Sequence, residues 1–339
     1  MNKNLLNKIN QIQAEKNFSG TVFVQTGESV IFDKSFGYAN RAEKIENQSN
    51  TRYGIASGSK ILTAIAIAQL VEQGKVTFNT RLKECLNIHF PHFDESITIH
   101  QLLTHTSGIP DYFDEEVMDD FEELWIQRPM YHIRRLRDFL PMFELEAMKS
   151  QPGSMFHYNN AGYILLGLVV EELSGVTFTD YVEKNIFKKC SMDAGYFEMD
   201  SLPERTALGY IDLPDGKWKT NVYSLPAKGG SDGGAFVTAK SMAELLEALL
   251  NGLLLNKETT NQLLTPHASV NESISYGYGI WMKHENRSIS KYYLMGYDPG
   301  VNFRAAFYPE TNTKIVICSN QADGAFDILT GIEDELNIK

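Results

Sequence analysis

The β-rich runs of this chain lie at its two ends, and strand patterns are scarce from about residue 75 to 225. A sheet needs its strands side by side, so the two ends must meet and the middle must leave the sheet and return. At the front, Gly20 to Val24 and Val30 to Phe36 are β-rich and are joined by Thr26-Gly27-Glu28, which reads as a hairpin. At the back, beyond Gly229, β-like segments fall at 276–283, 291–296, 301–308 and 313–319. Helical periodicity frames both groups. Residues 3–16 set Leu5, Leu6, Ile9 and Ile12 on one side. The run KILTAIAIAQLVEQG makes 59–74 an alanine- and leucine-rich helix that stops at Gly74. Further helices are expected near 240–252 and 324–336. The pattern predicts a layered α+β architecture, with residues 1–75 and 226–339 forming a discontinuous sheet domain and 76–225 a mostly helical inserted domain.

Composition narrows the function. The 339 residues include 43 Asp and Glu against 31 Lys and Arg, a net charge of −12. A sequence-independent nucleic-acid binder needs a basic footprint, and a polybasic membrane anchor needs clustered cations. Both are excluded as expectations. Cys85, Cys190 and Cys318 are odd in number, far apart and without a CxxC, which argues against a disulfide framework or zinc ribbon. The opening MNKNLLNKINQIQAEKNF has only Leu5-Leu6 where a signal peptide needs a longer apolar stretch. The run Ile164 to Val170 is too short to cross a bilayer. The expectation is a soluble, cytoplasmic protein without a membrane anchor, though a chain trimmed of a leader would read the same.

The chemistry starts at Ser57-Gly58-Ser59-Lys60, at the mouth of the long apolar helix. Residues three apart on a helix share a face. A serine hydroxyl needs a base to become a nucleophile, and a lysine can serve if desolvation and a helix N-terminus favour its neutral form. The Ser57 N–H at the helix start could stabilise an oxyanion. Ser288 to Lys291 repeats the spacing but precedes the β-like run KYYLMG, so it lacks the helix and is set aside. Tyr158-Asn159-Asn160 follows the turn Gln151-Pro152-Gly153-Ser154 and opens a second helix, AGYILLGLVVEEL. Tyr158 could carry a proton to a leaving group if a lysine cation favoured its phenolate, and Asn160 could hold a substrate amide. Tyr38-Ala39-Asn40 matches the same pattern and is read as a turn.

In this order and spacing the segments resemble the serine β-lactamase and penicillin-binding protein superfamily, in particular its class C-like hydrolases and esterases. SGTVFVQTGESVIFDKSFGYAN is similar to the family's opening hairpin, and YGIASGSKILTAIAIAQLVEQGKV to its nucleophile helix. ITIHQLLTHTSGIPDY is similar to a characteristic family loop, PGSMFHYNNAGYILLGLVVEELSG to the tyrosine motif, and GGAFVTAKSMAELLEALLNG to a later glycine turn and helix. The resemblance implies an antiparallel sheet drawn from both chain ends and flanked by helices. It also implies Ser57 as acylated nucleophile, Lys60 as base or proton relay, Tyr158 as general acid/base and Asn160 as substrate contact, with no metal or organic cofactor. The family's third motif, Lys-Thr-Gly or His-x-Gly, falls here on Leu294-Met295-Gly296, ahead of Pro299-Gly300. Leu294 stands where the substrate-binding cation or imidazole is expected. Gly296 keeps its place, and the Tyr297 N–H would join that of Ser57 in an oxyanion hole. Losing the cation predicts weak turnover of β-lactams, which carry a carboxylate. It would matter less for neutral substrates.

The expected partner is therefore a small-molecule or peptide substrate, split as an ester or amide through an acyl-enzyme. Two alternatives stay open: a ligand-binding member that has lost its chemistry, and a cell-wall D-alanyl peptidase. Among other features, Asp111 to Glu123 holds eight acidic residues in thirteen. It could form an acidic rim to the cleft, but the favoured expectation is a solvated helix paired with Arg128, Arg134, Arg135 and Arg137. His89 and His92 are split by a proline and read as loop residues, not a metal pair. His105 is expected to hold its loop, His157 to pack, and Cys318 to lie in the core.

Overall fold

The computed structural model describes residues 3–118 and 120–338. Its frame is one eight-stranded antiparallel sheet. The strands are β1 (Gly20–Thr26), β2 (Ser29–Phe36), β3 (Ala268–Ser269), β4 (Ile274–Tyr276), β5 (Trp281–Glu285), β6 (Ser288–Asp298), β7 (Val301–Tyr308) and β8 (Thr313–Ser319). Their spatial order is β3-β4-β5-β6-β7-β8-β1-β2, so the front hairpin docks on the last strand of the chain. Gly20 pairs with Ser319 and Thr26 with Thr313. Two sequence expectations shift in detail. The run 276–283 is broken by a turn in which the Gly277 N–H donates to the Ile280 carbonyl at 2.9 Å. Tyr38–Asn40 is a short strand paired with Ile45–Glu46, not a turn.

Five helices matter for the site: α1 (Lys3–Lys16), α2 (Lys60–Glu72), α3 (Asn160–Ser174), α4 (Ala239–Leu250) and α5 (Ala325–Leu336). Side chains alternate across a strand, and the two faces of the sheet are covered differently. Val22, Val24, Ala306, Ile315 and Ile317 face α1 and α5, in a core with Leu5, Ile9, Ile328 and Ile332. Phe23, Leu294, Phe303, Ala305 and Val316 belong to the larger core, with α2, α3 and α4. α2 and α3 are buried along nearly their whole length, which explains why both are apolar all round. No single helix among the described residues is long and apolar enough to cross a membrane. Cys318 is fully buried on β8.

Candidate active site

Ser57 does not open an α-helix. It sits on a 3-10 turn, Ala56–Ser59, that runs into α2 at Lys60. Ala56 has φ +46°, a left-handed conformation unusual for a residue with a Cβ. Such strain persists only where the surroundings over-determine it. Here they press from two sides. A Cβ on Gly58 would lie 2.5 Å from the Phe303 ring on β7. A Cβ on Gly296 would lie 2.0 Å from the Ile55 carbonyl oxygen and 2.9 Å from the Gly58 nitrogen. Glycine at 296 therefore lets β6 run directly against the nucleophile turn. The next residue, Tyr297, lines the same cavity as Ser57. Gly296 is thus required by packing whatever side chain stands at 294.

Lys60 is 1% exposed. Its Nζ donates to Ser57 Oγ at 2.9 Å, Asn160 Oδ1 at 2.8 Å and the Asp232 carbonyl at 2.8 Å. Three acceptors are the full complement of an ammonium, and a buried charge needs such partners. When Lys60 gives up a proton, the contact with Ser57 can reverse, and the hydroxyl then donates to the amine. Asn160, expected to hold substrate, is occupied by the protein. It receives Lys60 on Oδ1 and donates through Nδ2 to Asp111 and the Phe113 carbonyl. Asp111 also accepts the backbone N–H groups of Asn160 and Ala161 at the start of α3. Burial pushes its carboxyl up to about 7, while those hydrogen bonds oppose the shift.

Tyr158 stands with its ring centroid 4.9 Å from Lys60 Nζ and stacks on Trp281 at 6.0 Å. The condition set for Tyr158, a phenolate favoured by a lysine cation, is not met in the resting site. Burial raises the Tyr158 pKa well above the ordinary tyrosine value, Glu115 adds to the rise, and the hydrogen bond with Ser57 only partly opposes it. Tyr158 is therefore a phenol in the resting site, suited to giving a proton before taking one. His105 lies beneath it, with ring centroids 4.4 Å apart. His105 Nδ1 accepts the Asn159 N–H at 3.0 Å, and burial holds the ring neutral. The expected loop-holding role thus extends to the backbone beside the tyrosine.

The sequence reading placed Leu294 as a substrate contact. The structure puts it 2% exposed in the main core, outside the lining of the cavity. Neither a lysine nor an arginine takes over from it at that point. Arg304 lines the cavity, but it pairs across the strands with Met295, on the opposite face from Leu294, and its guanidinium lies over Phe326 at 5.8 Å. Lys228 pairs with Glu198 through a backbone β-bridge and is absent from the lining.

The acidic segment also departs from expectation. Asp119 lies outside the described residues. Among the rest there is no long helix. Only Phe121–Glu123 forms a 3-10 turn, and the segment is fixed by buried anchors instead. Tyr112 donates to Asp232, and Asp114 pairs with His157 at 3.4 Å and with Lys149 at 3.6 Å. Glu122 pairs with Lys219, while Arg134 pairs with Glu198 and Asp200, so the predicted arginine pairing does not form. Glu115, Asp120 and Glu122 line a cavity of about 860 Å³ together with Ser57, Tyr158 and Asn160. Sequence reasoning missed Asp232, Asp298 and Trp281 on its walls. Asp232 alone left a trace, as a charge set in the glycine-rich GGSDGG.

Comparison with known proteins identifies the family. The chain matches the family model described as Beta-lactamase over residues 6–334. It is 28% identical over 323 residues to Penicillin-binding protein 4* of Bacillus subtilis, covering 90% of this chain and 69% of that one. The structure of a penicillin binding protein from Bacillus halodurans superposes with a TM-score of 0.93 at 56% identity, covering 96% of this chain and 99% of that one. D-amino acid amidase from Ochrobactrum anthropi shares the fold at a TM-score of 0.78 and 18% identity, covering 99% of both chains.

Proposed function

Because this chain belongs to the beta-lactamase family, we propose that it is a serine hydrolase that splits a small amide, ester or peptide through an acyl-enzyme on Ser57. The observation that carries this reading is the 2.9 Å contact between Lys60 Nζ and Ser57 Oγ, held in a buried cage with Asn160 and Asp232. In the neutral form Lys60 takes the Ser57 proton as Oγ attacks the carbonyl carbon. The oxyanion forms against the backbone N–H groups of Ser57 and Tyr297. Tyr158, a phenol, gives its proton to the departing nitrogen or oxygen, and the Lys60 proton then restores it. Water attacks the ester by the reverse sequence and frees Ser57. Every step uses groups of this chain.

Amide and ester substrates are favoured over β-lactams. Leu294 supplies no charge for the β-lactam carboxylate, and the exposed acids Glu115 and Asp120 on the cavity wall repel it. The D-amino acid amidase that shares the fold supports an amide.

Intact-mass analysis after fluorophosphonate treatment tests the reading. One adduct, lost in Ser57→Ala, is expected, with release of p-nitrophenol from a short-chain ester. Absence of both would leave a ligand-binding protein. Rapid nitrocefin turnover abolished in Ser57→Ala would overturn the weak β-lactam activity.

A further inference from the structure

The catalytic cleft carries a carboxyl group for which the reaction has no use. Asp298 follows Tyr297, the oxyanion-hole residue, and lines the same cavity as Ser57. Side chains alternate along β6, so Asp298 faces the same way as Gly296, toward the nucleophile turn, about 7 Å further along at ordinary strand rise. Among the described residues its carboxyl has no hydrogen-bond or salt-bridge partner. The other acids near the nucleophile are committed or at the rim. Asp111 caps α3, Asp232 accepts from Tyr112, and Glu115 is exposed at the entrance.

Cations near Asp298 are few. Lys60 attracts it but has all three donors engaged elsewhere. Arg304 and Lys16 line the same cavity, but Arg304 pairs with Met295, on the opposite face of the β6–β7 hairpin from Asp298, and neither is among the groups that act on its carboxyl. The groups that act on Asp298 are otherwise acidic, Asp232 and Glu115, and with burial they push its carboxyl up to about 8. An unpaired acid beside other acids, walled by Trp281 and Tyr158, is unfavourable for an empty cleft. It becomes favourable when a cation arrives.

We propose that Asp298 is a specificity-determining residue that receives a primary ammonium group carried by the substrate next to its scissile carbonyl, with Asp232 and Glu115 adding field. The proposal rests on the hydrolase reading only for the position of that carbonyl. An α-amino amide, ester or peptide with a free amino terminus has this form. The charge-assisted contact forms between the ammonium N–H and the Asp298 carboxylate. A proton leaves Asp298 to solvent when the cation binds below about pH 8.

Binding is measured without turnover, so its failure is separable from failure of the hydrolase reading. Titration calorimetry compares 2-phenylethylammonium, which stays charged below about pH 10, with neutral 2-phenylethanol. At pH 8.5 the cation is expected to bind at least about tenfold more tightly to the wild type, the range of one charged hydrogen bond. Asp298→Asn should reduce the preference to about threefold or less. The wild-type preference should also widen from pH 6.5 to 8.5, as Asp298 ionises, a readout that needs no variant. Equal affinities in the wild type, a preference that survives Asp298→Asn, or a preference flat with pH would each overturn the proposal.

Discussion

The two faces of the central sheet are built to different rules. The outer face meets α1 and α5 through Leu5, Ile9, Val22, Ile317 and Ile332, in ordinary apolar packing. The inner face buries Lys60, His105 and Asp232 at 8% exposure or less and carries Ala56 at φ +46°. The outer face thus carries the smaller apolar core, and the inner face combines the larger one with the polar groups of the site. Apolar burial on the outer side contributes net free energy, while buried polar groups on the inner side cost free energy unless every partner is in place.

Substitutions that remove the polar cage should break this contrast most visibly. Lys60→Met, with circular dichroism to verify the fold, is expected to lower kcat/KM on a p-nitrophenyl ester by about 10⁴-fold, as loss of a catalytic-unit member does. Gly296→Ala tests the close approach of β6. Displacing one oxyanion donor should cost about 10²–10³-fold in kcat, read in the same assay. On the outer face the prediction inverts. Ile332→Ala should destabilise the protein by about 2–4 kcal/mol in urea titration while kcat is unchanged. A fall in kcat there would show that the two faces are coupled.

The smallest expected effect is a pH slope. Asp298 has its folded pKa raised to about 8, so between the ordinary carboxylate range and pH 8 the native state binds more protons than the unfolded one. Its contribution is present at low pH and lost as pH rises through that window. The urea midpoint of the wild type should therefore fall relative to Asp298→Asn between pH 6 and 9. Parallel midpoints would remove Asp298 from the costly set.

What could be read from the sequence follows the same division. The front hairpin, β7, β8, α2 and α5 were legible because period-2 and period-3.6 patterns are local. Ser57–Lys60 and Tyr158–Asn160 could be picked out as candidates because the spacing within each pair is local. The acidic wall was not. Asp232 and Asp298 acquire meaning only when distant segments converge on one cavity, and Asp111 only when its loop reaches the start of α3. The segment after Asp111 was misread as a solvated helix because its composition is polar, yet Tyr112 and Asp114 anchor it from beneath. The sequence made the proton-carrying role of Tyr158 conditional on a lysine favouring its phenolate, and burial outweighs that cation. Leu294 was assigned to the cleft by its place in the motif. On the strand it turns inward with Gly296, and its side chain packs in the core.

The cage around Lys60 has a consequence for how this protein matures. Its three acceptors come from residues 57, 160 and 232, and the last two reach α2 only after the helical middle and the glycine segment have docked. A chain emerging from synthesis, or one partly unfolded, holds a serine no more reactive than any other. Nucleophilicity is thus an assembly signal. The rate at which a refolding sample gains fluorophosphonate reactivity reports completion of its long-range topology, and chains still short of it are harmless to bystander esters and amides.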